Sequence, residues 1–252
     1  MSTEALDANA LLRLRGVHKR FDDRTVLDSI DLDVAAHQVV CLIGGSGSGK
    51  STLLRCVDLL VEVDDGTIHL GATELTDPAL DQRLARRRIG VVFQAYNLFP
   101  HLSVLDNVAL APRRVLGRSR DQAESEAMAL LTRLGLADKA RDYPDRLSGG
   151  QQQRAAIARS LATEPEVLLF DEITSALDPE LVGEVLDVVA DLKDRGFTIL
   201  MATHEMDFAR HAADQVCFLD NGVIRERGEP DQILTEPREA ATQRFLARLL
   251  NR

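Results

Sequence analysis

Residues 44–52 read Gly44-Gly45-Ser46-Gly47-Ser48-Gly49-Lys50-Ser51-Thr52, a complete match to the pattern Gly-x-x-x-x-Gly-Lys-Ser/Thr. An unbroken apolar run, Gln38 to Ile43, leads into it, and a helical run, Thr52 to Val57, leads out. Strand, glycine loop and helix in that order make a phosphate cradle. Glycines let backbone N–H groups converge on an anion without Cβ collisions. The helix start adds partial positive charge at the same point. Lys50 has the reach for β- and γ-phosphates, and the Ser51 hydroxyl suits Mg²⁺. All nine residues are therefore candidate nucleotide contacts, with Ser51 also a candidate metal ligand.

Working outward, three further runs are apolar on both faces: Val167 to Phe170, Phe197 to Thr203, and Ile89 to Phe93. Such strands belong to a parallel sheet covered by helices. Helical patterns lie between them. From Asp121 to Leu134, residues Ala123, Ala127, Leu130, Leu131 and Leu134 share one helix face. Pro179 stands near the start of another helix, ending near Lys193. The alternation predicts an α/β fold with a wound parallel sheet. Leu12 to Val34, with Gly66 to Leu70, reads as several strands without intervening helices, so a small antiparallel sheet is expected beside the core. Residues from about 96 to 162 are mainly helical and read as an inserted subdomain. The expected layout is one domain over 1–252: a core with its β subdomain at about 1–95 and 163–252, and the helical insertion between.

The run Val167-Leu-Leu-Phe-Asp171-Glu172 is a buried strand ending in two acids. Charge is costly in a core, so the acids should sit at the strand's carboxyl end, beside the glycine loop. Asp171 is suited to hold Mg²⁺, and Glu172 to orient an attacking water. An ordinary strand-end turn, with acids capping the next helix, is the alternative for this pair taken alone.

A glycine loop with an acidic strand end describes several nucleotide-using classes. Leu147-Ser148-Gly149-Gly150-Gln151, before a helix at 155–162, separates them. It forms a second anion site of hydroxyl, bare N–H groups and helix dipole. The economical reason for a second phosphate site is that it serves the nucleotide of another copy of the chain. Here the sequence resembles the ATP-binding cassette (ABC) family of P-loop NTPases, whose signature is LSGGQ. By that resemblance, Gln94 is the glutamine that contacts Mg²⁺ or the attacking water and relays to a membrane partner. Ser175-Ala176-Leu177-Asp178 is the loop crossing a dimer interface, and His204 is the histidine contacting the γ-phosphate. Phe21, 23 residues before Gly44, stands where the family has an aromatic that stacks on adenine; plain core packing is its alternative. Phe93 to His101, Asp106 to Val108, Tyr143-Pro144, Gln151 to Gln153, Asp178 to Glu180, His204 to Met206 and Phe245-Leu246 look like polar amino acid importers. In that group the segment holding Tyr96 and Phe99 receives the membrane subunit; core packing is again the alternative for both rings. Gly45 and Ile173 depart from the family's usual proline, and His37 from a turn glycine.

Composition limits the partners. The chain has 252 residues and a formal net charge of −10. An acidic chain is poorly suited to general nucleic-acid binding, so no nucleic-acid partner is expected. The longest uncharged run, Val34 to Gly49, is 16 residues with four glycines, short of the roughly 20 that a membrane helix needs. Met1 to Asp7 has no basic start followed by an apolar core, so it does not read as a signal peptide. Cys41, Cys56 and Cys217 are far apart and suggest neither a zinc site nor a disulfide framework; a reducing, cytoplasmic setting fits. The basic run Arg83 to Arg88 reads as a solvated face, with lipid headgroups or an acidic partner as the alternative. Ala240 to Leu250 reads as an amphipathic segment packed on its own domain.

The resemblance implies an ATPase with ATP and Mg²⁺ as cofactors, Glu172, His204, Gln94 and Lys50 as catalytic residues, and Ser51, Gln94 and Asp171 toward the metal. It implies a homodimer in which Ser148, Gly149, Gly150, Gln151 and Asp178 complete the partner's nucleotide site. Separate transmembrane permease subunits and, indirectly, a solute-binding protein follow, at the cytoplasmic face of a bacterial membrane. The alternatives are an ABC ATPase of another import system, a soluble ABC ATPase acting on DNA or ribosomes, and a P-loop kinase.

Overall fold

The computed structural model describes residues 10–250. Met1 to Asp7, read above for a targeting signal, lies outside them, as do the side chains of Leu249 and Leu250. The chain runs through β1 (Leu12–Phe21), β2 (Arg24–Val34), β3 (Val39–Ile43), α1 (Lys50–Val57), β4 (Asp65–Leu70), β5 (Thr73–Glu74), α2 (Gln82–Arg86) and β6 (Ile89–Val92). Then come α3 (Val104–Arg114), α4 (Arg120–Arg133), α5 (Gly149–Leu161), β7 (Val167–Asp171), α6 (Pro179–Asp194), β8 (Ile199–Ala202), α7 (Met206–Ala212), β9 (Gln215–Asp220), β10 (Val223–Gly228), α8 (Pro230–Thr235) and α9 (Ala240–Leu250).

Two sheets result. One is antiparallel, in the order β2-β1-β4-β5. The other has six strands in the order β10-β9-β3-β8-β7-β6, all parallel except the edge strand β10. The expected α/β class, with a wound parallel sheet and an antiparallel companion, is what the chain adopts. Leu12 to Val34 forms two long strands, turning at Asp22, whose φ is 52°.

The parallel strands are apolar through their middles because each serves two cores. Val39, Cys41 and Ile43 of β3 face one cluster with Leu168 and Phe170 of β7 and the helices α3–α6. Val40 and Leu42 face the other, with Leu169, Leu53 of α1 and the antiparallel sheet. Alternating side chains on opposite faces produce this division. It places the carboxyl ends of β3, β7 and β8 side by side, with Leu42 opposite Ala202 and Asp171 opposite Ala202.

The last helix docks on this body. The Phe245 and Phe218 rings lie 5.0 Å apart, and Leu246 is buried. The Glu226 carboxylate accepts hydrogen bonds from the backbone N–H groups of Arg238 and Glu239 just before α9. Ala240 to Leu246 thus packs on its own chain. In the basic run, Arg88 forks onto Glu166 and also donates to Thr73, and Arg86 donates to the Leu59 carbonyl. Only part of that run is a solvated face.

Candidate functional site

The glycine loop follows β3 directly, and α1 starts at Lys50. Gly49 has φ 112°, and a Cβ there would lie 2.8 Å from the Val26 carbonyl oxygen. Only glycine fits both the left-handed backbone and the close approach of β2. Lys50 Nζ donates to the carbonyls of Gly44 and Gly45 at 3.0 and 3.2 Å and lies 3.4 Å from Glu172 Oε1. Its side chain is 3% exposed, so this ammonium is held by loop oxygens and one carboxylate.

Asp171 ends β7 next door, and the Ser51 hydroxyl donates to its Oδ1 at 2.7 Å. Burial raises the Asp171 pKa, with the Ser51 hydrogen bond opposing and the neighbouring Glu172 charge adding to the rise. A desolvated carboxylate touching a hydroxyl, beside a phosphate cradle, is a donor set suited to a hard divalent cation. Glu172 follows with φ 49°, a conformation that disfavours a non-glycine residue by roughly 1–2 kcal/mol. Its N–H bonds the Ala202 carbonyl at 3.0 Å, and its own carbonyl accepts from Ser175 N–H. These ties hold the turn that aims the carboxylate back at Lys50 and at His204, whose Nε2 is 3.0 Å from Glu172 Oε1. A cavity of about 270 Å³ is lined by Arg24, Val26, Ser46 to Thr52 and Glu172.

Phe21 ends β1 and is 47% exposed, with the Lys19 ammonium 5.3 Å from its ring centroid. Its ring is thus not core packing, and a face is available for a flat ligand. Arg24 and Val26 line the cavity without having been singled out by sequence. They open an ordinary edge strand, and no spacing rule marks them.

The second anion site is built on α5. That helix begins at Gly149, six residues earlier than expected, because Ser148 is its cap. The Ser148 hydroxyl accepts from Gln151 N–H at 3.3 Å, and the Gln151 side chain accepts from Ser148 N–H at 3.0 Å. This reciprocal capping box fixes the first turn. Gly149 carries no Cβ for a steric reason: one would meet the Tyr96 hydroxyl at 2.8 Å and Leu177 at 3.1 Å. The Tyr96 hydroxyl also donates to the Ala176 carbonyl at 3.4 Å. Asp178 is the exposed N-cap of α6.

Lys50, Ser51, Asp171, Glu172 and His204 therefore meet at one end of the parallel sheet. Ser148 to Gln151 and Asp178 do not line that cavity. Gln94 does not line it either. It opens onto a neighbouring groove of about 480 Å³ with Tyr96, Leu98, Pro100, Pro144 and Gln152. Phe99 is 42% exposed, with the Arg159 guanidinium 5.9 Å from its ring centroid. Among the departures, a side chain at Gly45 would meet open space, while Ile173 is fully buried. His37 takes φ 65° and is anchored through its ring Nδ1 on the Gly196 carbonyl and its N–H on Thr198 Oγ1. Those contacts hold a side chain where a turn glycine would serve.

The family described as "ABC transporter" matches residues 27–175. The glutamine transport ATP-binding protein GlnQ of Bacillus subtilis is 47% identical over 241 residues, covering 96% of this chain and 100% of that protein. The glutamate transport ATP-binding protein GluA of Corynebacterium efficiens is 48% identical, with 95% and 99% covered. The L-cystine import ATP-binding protein TcyC of Bacillus subtilis is 47% identical, with 96% and 99% covered. Among solved structures, the dimeric post-hydrolysis state of the ATP-binding cassette MJ0796 bound to ADP and Pi superposes with a TM-score of 0.78. It is 30% identical and covers 87% of this chain and 98% of that one.

Proposed function

Because the chain belongs to the ABC transporter family, we propose that it is the ATP-hydrolysing subunit of a polar amino acid importer, acting as a pair of copies on separate permease subunits. As an ABC cassette it is an ATPase whose hydrolysis is coupled to transport. The choice of polar amino acids rests on the names of its relatives, which span glutamine, glutamate and cystine. The cytoplasmic face of a bacterial membrane is the proposed location; among the described residues no helix is long and apolar enough to cross a membrane. The net charge of −10 continues to argue against a nucleic-acid partner.

The observation that carries the mechanism is the separation of two anion sites. The glycine-loop cavity contains no residue of the Ser148–Gln151 helix start, and Ser148 is exposed. One copy offers a cradle and an unused lid; two copies related by a twofold axis complete two sites at once. In this reading backbone N–H groups of residues 44–52 and the Lys50 ammonium hold the phosphates, and the partner's Ser148, Gly149, Gly150 and Gln151 close over the γ-phosphate, with the partner's Asp178 alongside. Phe21 stacks on the base. Glu172 accepts a proton from the attacking water, and His204 keeps that carboxylate and the γ-phosphate in register. Ser51 and Asp171 fit Mg²⁺, with Gln94 as a further candidate, and the ion would supply charge neutralisation at the phosphates. Loss of the γ-phosphate releases the closed pair. The groove of Gln94, Tyr96 and Pro100 is the proposed seat of a permease segment, and the solute-binding protein is reached only through the permease. The chain is proposed to act as one domain, 1–252, with helices of the 96–162 segment carrying both groove and lid.

Mass spectrometry of the complex purified with this chain from its native membrane tests the assignment, followed by ATPase assay in proteoliposomes. Integral membrane subunits and ATPase activity stimulated by a polar amino acid with its binding protein are expected. Recovery with ribosomes or nucleic acid would sink it.

A further inference from the structure

We propose that Arg24 is a phosphate ligand of the nucleotide, a second cation working in addition to Lys50. Arg24 opens β2 and pairs across the hairpin with Phe21, so it stands beside the ring read above as the base-stacking residue. Its Nη2 atom lies 3.8 Å from the position that a Cβ on Gly47 would take, which puts the guanidinium over the crest of the glycine loop. It lines the same cavity as Ser46 to Thr52 and Glu172.

Three cations of β1 and the glycine loop already have carboxylate partners. Lys19 is bonded to Asp64, and Arg15 to Asp33, at 2.8 and 2.6 Å. Lys50 is satisfied by two loop carbonyls and Glu172. Arg24 shows no side-chain hydrogen bond or ion pair among the described residues. A guanidinium presents five donors in a planar fork that matches the oxygens of a phosphate group. Placed over a loop whose N–H groups already converge on an anion, it adds a charge-assisted contact at the loop's open side. The ligand class is a nucleoside di- or triphosphate, and the contact is to its phosphates, not its base.

This inference rests on the reading of the cavity as an ATP site, and the experiment separates the two. The full chain and its Arg24→Ala and Arg24→Lys variants are titrated with MgATP, MgADP and MgGTP at several KCl concentrations, with thermal melts as a folding control. Arg24→Ala is expected to weaken ATP and ADP binding by about tenfold and to flatten the salt dependence. Arg24→Lys should fall between, and the ATP-to-GTP preference should stay that of the parent chain. Parental affinity and salt dependence in Arg24→Ala would overturn the proposal alone. So would a loss confined to ATP-driven dimerisation with nucleotide affinity intact, which would place Arg24 against the partner copy. A parent chain that binds no ATP would sink the underlying reading and this proposal with it.

Discussion

His204 Nε2 lies 3.0 Å from Glu172 Oε1, a contact made possible by two adjacent parallel strands that end in register. Asp171 of β7 sits opposite Ala202 of β8, so the residues just beyond each strand are neighbours. Glu172→Gln keeps the shape and removes the charge proposed to accept a proton. Hydrolysis is expected to fall by about 10²-fold or more, with ATP affinity within about twofold of the parent. An ATP-bound dimer should accumulate. Single-turnover hydrolysis and light scattering read these outcomes, and parental turnover by the variant would remove Glu172 from the proton-accepting role.

Lys50→Ala removes an ammonium held almost entirely inside the loop. Charge-assisted bonds to phosphate are worth roughly 1.5–3 kcal/mol, so ATP affinity should weaken by about 10- to 100-fold in equilibrium titration. Unchanged affinity would contradict the phosphate assignment.

Gly149→Ala places a methyl 2.8 Å from the Tyr96 hydroxyl, closer than packing allows. Either the start of α5 or the Tyr96 ring must then shift. Nucleotide binding by the single copy should survive, because Gly149 does not line the glycine-loop cavity, whereas ATP-driven dimerisation in the Glu172→Gln background should weaken. Adding Tyr96→Phe removes the colliding oxygen and should recover part of the dimer. No recovery in sedimentation analysis would mean that the Tyr96 contact is not what excludes a side chain at 149.

Asp58 caps the end of α1 and is 8% exposed. Burial pushes its carboxyl up to about 7, against the opposing charge of Arg86. The folded chain therefore holds this proton more tightly than the unfolded chain does. Stability from this group is full below about pH 4 and is lost as pH rises toward 7. Moving a carboxyl that far corresponds to roughly 4 kcal/mol. Asp58→Asn should be more stable than the parent at pH 8, by up to about that amount, and its denaturation midpoint should vary less between pH 4 and 7. Urea titrations across that range check both.

The parallel sheet was legible because strands serving two cores must be apolar on both faces, as in Val39 to Ile43 and Val167 to Phe170. The glycine loop was legible because its spacing is dictated by a ligand. Helix starts were less so: the signature helix begins at Gly149 rather than Ala155, since glycines have low helix propensity and only the Ser148–Gln151 capping box recruits them. The hairpin of β9 and β10 carries its sequence signal in the turn. Its turn, Asn221-Gly222, has φ 49° and 76° and carries the Asn-Gly signal of a tight hairpin. Arg24 and Val26 could not be found by pattern at all, because their place beside the loop comes from the way two sheets pack.

If two copies share each nucleotide as proposed, the two separate anion sites of one chain also set how the reaction depends on concentration. A free copy meets another only by diffusion, so assembly of a complete site from isolated chains is second order and falters on dilution. Two copies docked on one permease would instead meet at an effective concentration fixed by the scaffold, up to the millimolar range for a short tether. The proposed membrane subunits would then do more than carry solute: by holding the halves within reach of each other, they would turn a rare encounter into a repeating intramolecular stroke.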